Sequence, residues 1–339
     1  MAAQATDFDT LSGSDDRVLP FAVAPLDVRG RVVRLGPALD AILTRHAYPP
    51  PVSRALGEAI ALTALLGSSL KLEGRFQLQT RTDGPLDMIV VDFEAPEGLR
   101  AYARFNDERV AAAERDGEAG TAKLIGQGHL AFTIDQGPER ARYQGVVALE
   151  GQGLEAAAHE YFLRSEQIPT RVRLAVAEQL GVGAGETGHA WRAGGLLAQF
   201  LPAASARPAD LPPGDAPEGY VAPEERDEDS WVEARALVET IEDHELIDPT
   251  LASERLLVRL FHERGVRVFD PKPLHDRCRC SRDRIELMLR QFTPEDRRDM
   301  IGPNGRVGVT CEFCSTHYDF EPAEIEAMER ADGGAETGA

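Results

Sequence analysis

The first two hundred residues alternate between apolar and polar positions in patterns typical of short strands and a few helices. Residues 26–35 have the period of a strand, and residues 37–46 and 52–72 then show apolar positions at helical spacing. Further runs, separated by turn signals, predict strands over 75–82, 86–93, 99–105, 129–135, 142–150, 170–179 and 189–201, and a helix over 154–166. Short strands without a helix after each favour antiparallel pairing. The pattern therefore predicts an α+β domain of antiparallel sheet and helices over residues 20–202.

The composition changes abruptly after this domain. Residues 203–230 are rich in Ala, Pro, Asp and Glu and have almost no apolar content. Such a segment buries too little surface to offset its chain entropy, so it is predicted to be disordered from about Pro202 to Ser230. Apolar residues at helical spacing follow within 234–241 and 251–262. We therefore expect residues 203–277 to form an acidic and helical linker.

Both ends of the chain have the composition of tails. Residues 1–19 are small, polar and acidic, without the basic start and apolar run of a signal peptide, and residues 331–339 are Gly, Ala, Glu, Asp or Thr. We expect both segments to be disordered. The longest apolar stretch, near residues 59–66, is too short to span a bilayer. These features predict a cytoplasmic protein of two or three folded units that does not bind membranes.

The charge of the chain argues against nucleic-acid binding. The formal net charge is −20, whereas phosphate contacts need a basic surface. Residues 202–250 alone contain 14 Asp or Glu against 3 Arg, a net of −11. More than half of the excess negative charge therefore lies in this one stretch.

The chain has four cysteines, which form two close pairs near its C-terminal end. Cys278 and Cys280 read Cys-Arg-Cys, and Cys311 and Cys314 read Cys-Glu-Phe-Cys. Two close pairs joined by one loop suit a tetrahedral thiolate site for zinc, and they suit two local disulfides equally well. A chain that can form either is a candidate redox switch. The zinc could also be purely structural, as in a zinc ribbon.

Other candidate groups near the cysteines are weaker. Arg277, Arg279, Arg282 and Arg284 flank the first pair and could offset the net −2 charge of four thiolates on zinc, or could simply face solvent. His275 and His317 each lie three residues from a cysteine and are spare ligand candidates. No Ser/His/Asp arrangement, nucleophile elbow or phosphate-binding glycine motif is present. We therefore expect no catalytic residues and no cofactor besides zinc.

The chain resembles the heat-shock protein 33 family of redox-regulated bacterial holdases. The spacing of the two cysteine pairs is the hallmark of that family, and Ser281, Arg282, Tyr318 and Phe320 follow the cysteines as they do there. Four other segments match as well: 161–170 (Tyr-Phe-Leu-Arg-Ser-Glu-Gln-Ile-Pro-Thr), 144–147, 193–197 and 260–269. The resemblance covers roughly residues 21–202 and 231–328. The acidic stretch at 203–230 and the N-terminal tail are additions to the family pattern.

The resemblance implies an ATP-independent chaperone that is regulated by oxidation. It implies one zinc per chain, held in the reduced, inactive state by Cys278, Cys280, Cys311 and Cys314 in a small C-terminal domain at 278–330. Oxidation would form the disulfides Cys278–Cys280 and Cys311–Cys314, release the zinc and unfold the linker. The active form, commonly a homodimer, would then bind unfolding client proteins.

Two other classes of protein remain compatible with the cysteine pattern. One is an adaptor in which a zinc ribbon serves only as a structural element. The other is a dithiol oxidoreductase, in which a Cys-x-x-Cys motif usually opens a helix of a thioredoxin-like fold. The second cysteine pair and the absence of a βαβ pattern argue against the oxidoreductase.

Overall fold

The computed structural model describes residues 15–69, 74–137, 140–181, 188–202, 223–325 and 327. The chain divides into two compact units, Met1–Asp276 and Arg277–Ala339. The first unit therefore contains both the predicted core domain and almost all of the predicted linker.

The first unit contains two six-stranded sheets. Its strands are β1 (Arg17–Val23), β2 (Val28–Leu35), β3 (Arg75–Thr82), β4 (Leu86–Glu94), β5 (Gly98–Phe105), β6 (Gln127–Asp135), β7 (Tyr143–Glu150), β8 (Thr170–Leu180), β9 (His189–Phe200), β10 (Arg267–Val268), β11 (Lys272–Pro273) and β12 (His275–Asp276). The first sheet has the order β10-β1-β2-β9-β8, with β11 also paired to β1. The second has the order β12-β5-β4-β3-β6-β7, in which only the short pairing of β12 with β5 is parallel.

Eight α-helices accompany the sheets in the described part of this unit. They are α1 (Pro37–Thr44), α2 (Pro50–Gly67), α3 (Asp107–Arg115), α4 (Thr121–Ile125), α5 (Leu154–Tyr161), α6 (Pro223–Glu239), α7 (Asp243–Ile247) and α8 (Ser253–Phe261). Helix α2 contacts strands of both sheets. Because it is apolar on nearly all sides, α2 can lie buried in the main hydrophobic core, where Leu56, Ile60 and Leu65 are inaccessible to solvent.

The helices of the linker cover one face of the first sheet. Alternate residues of a strand point to opposite faces, so β2 contributes to two different cores. Val33 and Leu35 lie in the core around α2, whereas Val28 and Val32 lie in a second core with residues of α6, α7 and α8. We call the sheet side of this second core the covered face. Its buried apolar residues are Leu19, Phe21, Val23, Val28, Val32, Ala175, Leu196 and Ala198.

Polar contacts and one glycine bring the linker onto the covered face. The guanidinium of Arg34, which is 2% exposed, donates to the carbonyl oxygens of Glu245 at 2.8 Å and Asp248 at 2.7 Å. A Cβ on Gly194 of β9 would lie 2.0 Å from the carbonyl oxygen of Leu246 in α7. A larger residue at this position of β9 would therefore keep α7 from approaching the sheet so closely.

The α+β class with antiparallel sheets is confirmed, and two boundaries are corrected. The predicted N-terminal tail, residues 1–19, is wrong at its end: β1 begins at Arg17 because Arg17–Val23 pairs with β2 along its whole length. The predicted disorder up to Ser230 is wrong over 223–230, which belongs to α6. Residues 1–14, 203–222 and the C-terminal tail at 331–339 lie outside the described residues.

Smaller differences concern the helix ends. The helix predicted over 52–72 begins at Pro50, since proline suits the first turn of a helix, and ends at Gly67. The helix predicted over 154–166 ends at Tyr161 and continues as a π-helical turn, Phe162–Glu166. Within the described residues, no helix combines the length and the apolar composition needed to cross a bilayer.

Two side chains of α5 protect the edge of the first sheet. Strand β8 lies at the edge, and its outward N–H groups at Val172 and Leu174 donate to His159 Nε2 (2.8 Å) and Glu155 Oε1 (2.5 Å). His159 must be neutral to accept this bond. Burial and the nearby Arg171 lower its pKa to about 4.

We expect the first unit to lose stability as the pH falls from about 6.5 to about 4. Folding lowers the pKa of His159. Its contribution to the free energy of unfolding is therefore fully present above the pKa of the unfolded state, and it is lost as the pH falls through the pKa of the folded state. The loss amounts to about 2–3 kcal/mol. Urea unfolding of the wild type and of His159→Gln, which keeps an acceptor, measures it across this range. Parallel pH profiles for the two proteins would contradict the assignment.

Candidate metal centre

The second unit is small and has little apolar core. Its elements are α9 (Arg282–Leu289), α10 (Pro294–Asp299) and the antiparallel hairpin β13 (Val307–Thr310) and β14 (His317–Phe320). Its buried apolar residues, within the described part, are Ile285, Leu289, Val307, Phe320 and Ile325. A core of this size gives little stability unless a further constraint, such as a bound metal, is present.

Local structure places each cysteine pair. Cys278 and Cys280 lie just before α9, which begins after Ser281; the Ser281 hydroxyl accepts the N–H of Arg284 and caps the helix. Cys311 and Cys314 lie in the turn between β13 and β14. In that turn the Cys311 N–H donates to the carbonyl of Thr316 at 3.0 Å, and the Ser315 N–H donates to the carbonyl of Cys311 at 2.8 Å.

The four sulfur atoms converge. All four Sγ atoms lie within 4.8 Å of one another. Two close contacts join cysteines of different pairs: Cys280 Sγ to Cys314 Sγ at 3.2 Å and Cys278 Sγ to Cys311 Sγ at 3.7 Å. A tetrahedral zinc with Zn–S bonds of about 2.3 Å requires sulfur separations of about 3.8 Å. The donor set and its spacing therefore fit a four-thiolate metal site.

Hydrogen bonds around the sulfurs shape their acidity. Burial raises the pKa of Cys280 to about 12, although the Tyr318 hydroxyl donates to its sulfur at 3.3 Å. Burial also raises the pKa of Cys311, despite backbone N–H groups directed at its sulfur. At Cys314 burial raises the pKa, but hydrogen bonds with Thr316 outweigh it and the pKa falls to about 7. A bound cation would favour the ionised form of all four thiols near neutral pH.

The neighbouring charged residues are engaged elsewhere. Arg282 forms an ion pair with Glu324 at 2.7 Å and lies over the Phe320 ring, 4.3 Å from its centroid. Arg284 donates to the carbonyl of Arg279 at 2.8 Å, and Arg277 is exposed. These contacts hold the small unit together.

The two candidate histidines also have other contacts. His317 Nδ1 is hydrogen-bonded to the Thr310 hydroxyl at 2.8 Å, and its Nε2 lies 3.2 Å from Asp319. In the first unit, His275 Nε2 lies 4.0 Å from a carboxylate oxygen of Glu97. The four cysteines are the group that the described residues bring together as a potential metal site.

Sequence reasoning did not consider Thr316, and it noted Tyr318 only as part of the family pattern, without a role at the site. Both carry hydroxyls that contact sulfur, at Cys314 and Cys280 respectively. Their positions shortly after the second cysteine pair were the available signal. Tyr318 reaches Cys280 only because the hairpin turns it toward the first pair, and that geometry is not evident from spacing.

The chain thus combines a core of two sheets with a small unit whose four cysteines could hold a metal ion. A family model described as "Hsp33 protein" matches residues 16–321. The chain belongs to the Hsp33 family.

Curated relatives support this assignment along most of the chain. A 33 kDa chaperonin of Caulobacter vibrioides is 48% identical over 309 residues, which cover 91% of this chain and 95% of the relative. A 33 kDa chaperonin of Ectopseudomonas mendocina is 37% identical, covering 89% of this chain and 91% of the relative. These relationships support a chaperone role.

A solved structure has the same fold. The crystal structure of the 33 kDa chaperonin, a heat shock protein 33 homolog, from Thermotoga maritima matches with a TM-score of 0.75. The match covers 94% of this chain and 99% of that chain at 20% sequence identity.

Proposed function

We propose that the protein is a redox-regulated, ATP-independent holdase, inactive while its thiols are reduced and hold zinc. The observation that carries the proposal is the convergence of four Sγ atoms within 4.8 Å in a unit with a very small apolar core. Metal binding in such a unit is also folding energy. Zinc would supply the positive charge that keeps four neighbouring thiolates ionised and together.

Oxidation would remove the thiolate ligands, and the second unit would then lose the metal that stabilises it. Each neighbouring thiolate pair, Cys278 with Cys280 and Cys311 with Cys314, would give two electrons to one peroxide, forming a disulfide and two hydroxide ions. Loop closure is least costly for the nearest partner in sequence, which favours these pairings. Disulfide sulfurs are poor ligands for zinc, so the ion leaves and residues 278–330 lose their main source of stability.

The linker is the segment through which loss of zinc would expose the apolar residues of the covered face. Its last strands, β11 and β12, end at Asp276, immediately before the second unit begins. Its helices are docked on the covered face through Leu257, Leu260 and Phe261, all fully buried. Isolated helices of this length are marginal in water, so α7 and α8 depend on docking. Release of residues 231–277 would expose the covered face to unfolding clients.

The charge of the chain suits this function. Newly exposed apolar surface promotes aggregation, and a net charge of −20 would keep the activated chain soluble. We propose that the active form is a homodimer, that it works in the cytoplasm, where thiols stay reduced until oxidant appears, and that it needs no catalytic residues.

The test compares reduced and peroxide-treated protein as suppressors of the thermal aggregation of a model client. We expect suppression by the oxidised protein at about equimolar ratio and none by the reduced protein. The oxidised protein should also have lost its zinc and should carry the two local disulfides by peptide mapping. A double variant, Cys278→Ser with Cys280→Ser, can neither complete the zinc site nor form the first disulfide, so its suppression of aggregation should not depend on peroxide. Zinc retention and inactivity after oxidation would instead indicate a structural zinc-ribbon adaptor.

A further inference from the structure

A positively charged cavity lies on the first sheet, in the part that α2 does not cover. Its volume is about 790 Å³, and its lining includes Arg29 and Arg31 of β2 and Arg267 of β10. Pro20 and Phe269 add apolar surface beside the guanidinium groups. The cavity lies within the first unit and is separate from the cysteine site.

Strand register places the three arginines on one face of the sheet. Ala22 of β1 pairs with Arg29 on one side and with Arg267 on the other. Directly paired residues of antiparallel strands point to the same face, so Arg29 and Arg267 flank Ala22 about 10 Å apart. Arg31 follows two residues after Arg29 and therefore shares that face.

These arginines have little negative charge to balance them. None of the described Asp or Glu residues lines the cavity, in a chain whose net charge is −20. Among the described residues, Arg31 has no ion-pair partner, and burial lowers its pKa. A fourth lining arginine, Arg264, is neutralised by Glu233 at 2.7 Å. A partly buried and unpaired cation is unfavourable, and a bound anion would relieve it.

We propose that this cavity binds the diphosphate group of a condensed phosphate or of a nucleoside diphosphate. A carboxylate has two oxygens and can accept the paired hydrogen bonds of one guanidinium group. Two linked phosphates present oxygens to several guanidinium groups across the cavity. The apolar surface of Pro20 and Phe269 leaves room for a nucleoside beside the phosphates.

The cavity joins the core to the linker, because Arg29 and Arg31 belong to β2 and Arg267 to the linker strand β10. A diphosphate that contacts both strands stabilises the docked linker, since a ligand favours the state to which it binds. The effect of the diphosphate on activation rests on the proposed holdase function. The binding of the diphosphate to the reduced protein does not depend on that function.

The test is calorimetric titration of the reduced, zinc-loaded full chain with inorganic pyrophosphate at fixed ionic strength. We expect one site, weakened about tenfold or more by Arg31→Gln and by Arg267→Gln. The matched control is Arg81→Gln, an exposed strand arginine of the second sheet, which should bind like the wild type. All four proteins keep the cysteines, so any extraction of zinc by pyrophosphate affects them equally. Unchanged binding by Arg31→Gln, or equal loss in Arg81→Gln, would overturn the proposal.

Three further measurements test the identity of the ligand and the place where it binds. Citrate, a carboxylate anion of similar charge, should bind at least tenfold more weakly than pyrophosphate, and equal affinity would overturn the assignment to phosphate. Uridine diphosphate that binds like pyrophosphate supports recognition of the phosphates alone, and tighter binding supports a nucleotide as the source. Hydrogen exchange should show protection of residues 264–269 by pyrophosphate in the wild type and in Arg81→Gln, but not in Arg31→Gln or Arg267→Gln. Absence of that protection would place the ligand elsewhere and refute the site.

Discussion

Removal of the metal, by chelation or by Cys311→Ser, is expected to unfold residues 277–327 while residues 15–202 stay folded. Binding of zinc by four thiolates contributes about 10–16 kcal/mol at neutral pH, far more than five buried apolar residues can replace. The first unit contains no cysteine, and its core around α2 includes no residue of the second unit. Hydrogen exchange before and after chelation measures both units in one experiment.

A surface substitution in the same unit provides the control. Leu287 in α9 is 64% exposed, so Leu287→Ala should leave exchange in the second unit unchanged. Cys311→Ser should abolish slow exchange there, because three thiolates and a hydroxyl do not complete the site. Retention of native protection in Cys311→Ser would show that the five-residue core is sufficient and that the metal is dispensable for folding.

The metal site could be predicted to the level of its four sulfur donors but not to that of its surroundings. Residues two or three apart, such as Cys311 and Cys314, are neighbours in any folded form, so the spacing alone indicated two local donor pairs. The approach of Cys280 to Cys314 depends on how α9 and the hairpin pack. The same packing brings the Tyr318 hydroxyl to Cys280, and no sequence pattern encodes it.

The linker shows the same limit at a larger scale. Helical periodicity correctly predicted apolar positions such as Leu256 and Phe261 in α8. The surface that they cover could not be predicted, because β2 contributes to both cores and its alternation does not say which element lies on each side. The two-residue strands β11 and β12 are too short to have a period, and only pairing with β1 and β5 defines them. Arg34 likewise finds its carbonyl partners through tertiary structure.

Docking of the linker rests on a few large side chains, and Phe261 of α8 is the one that we expect to matter most. It is 0% exposed, and its ring centroid lies 5.9 Å from that of Phe21 on the covered face. Truncation of a buried phenylalanine to alanine costs about 3–5 kcal/mol. Helices that depend on docking do not remain in place after such a loss of packing energy. In the reduced, zinc-loaded protein, Phe261→Ala should therefore shift the equilibrium between docked and undocked linker toward the undocked state by at least about a hundredfold.

The expected result is a chaperone that is active without oxidant. Reduced Phe261→Ala should suppress client aggregation, exchange rapidly over 231–265 and retain both its zinc and the slow exchange of β2, β8 and β9. Val258→Ala is the matched control, because Val258 lies on the same helix but is 44% exposed, and it should remain inactive until oxidised. Because the variant separates undocking from metal loss, it tests whether the covered face is the client-binding surface. A reduced Phe261→Ala with rapid exchange in the linker but no chaperone activity would show that clients bind elsewhere.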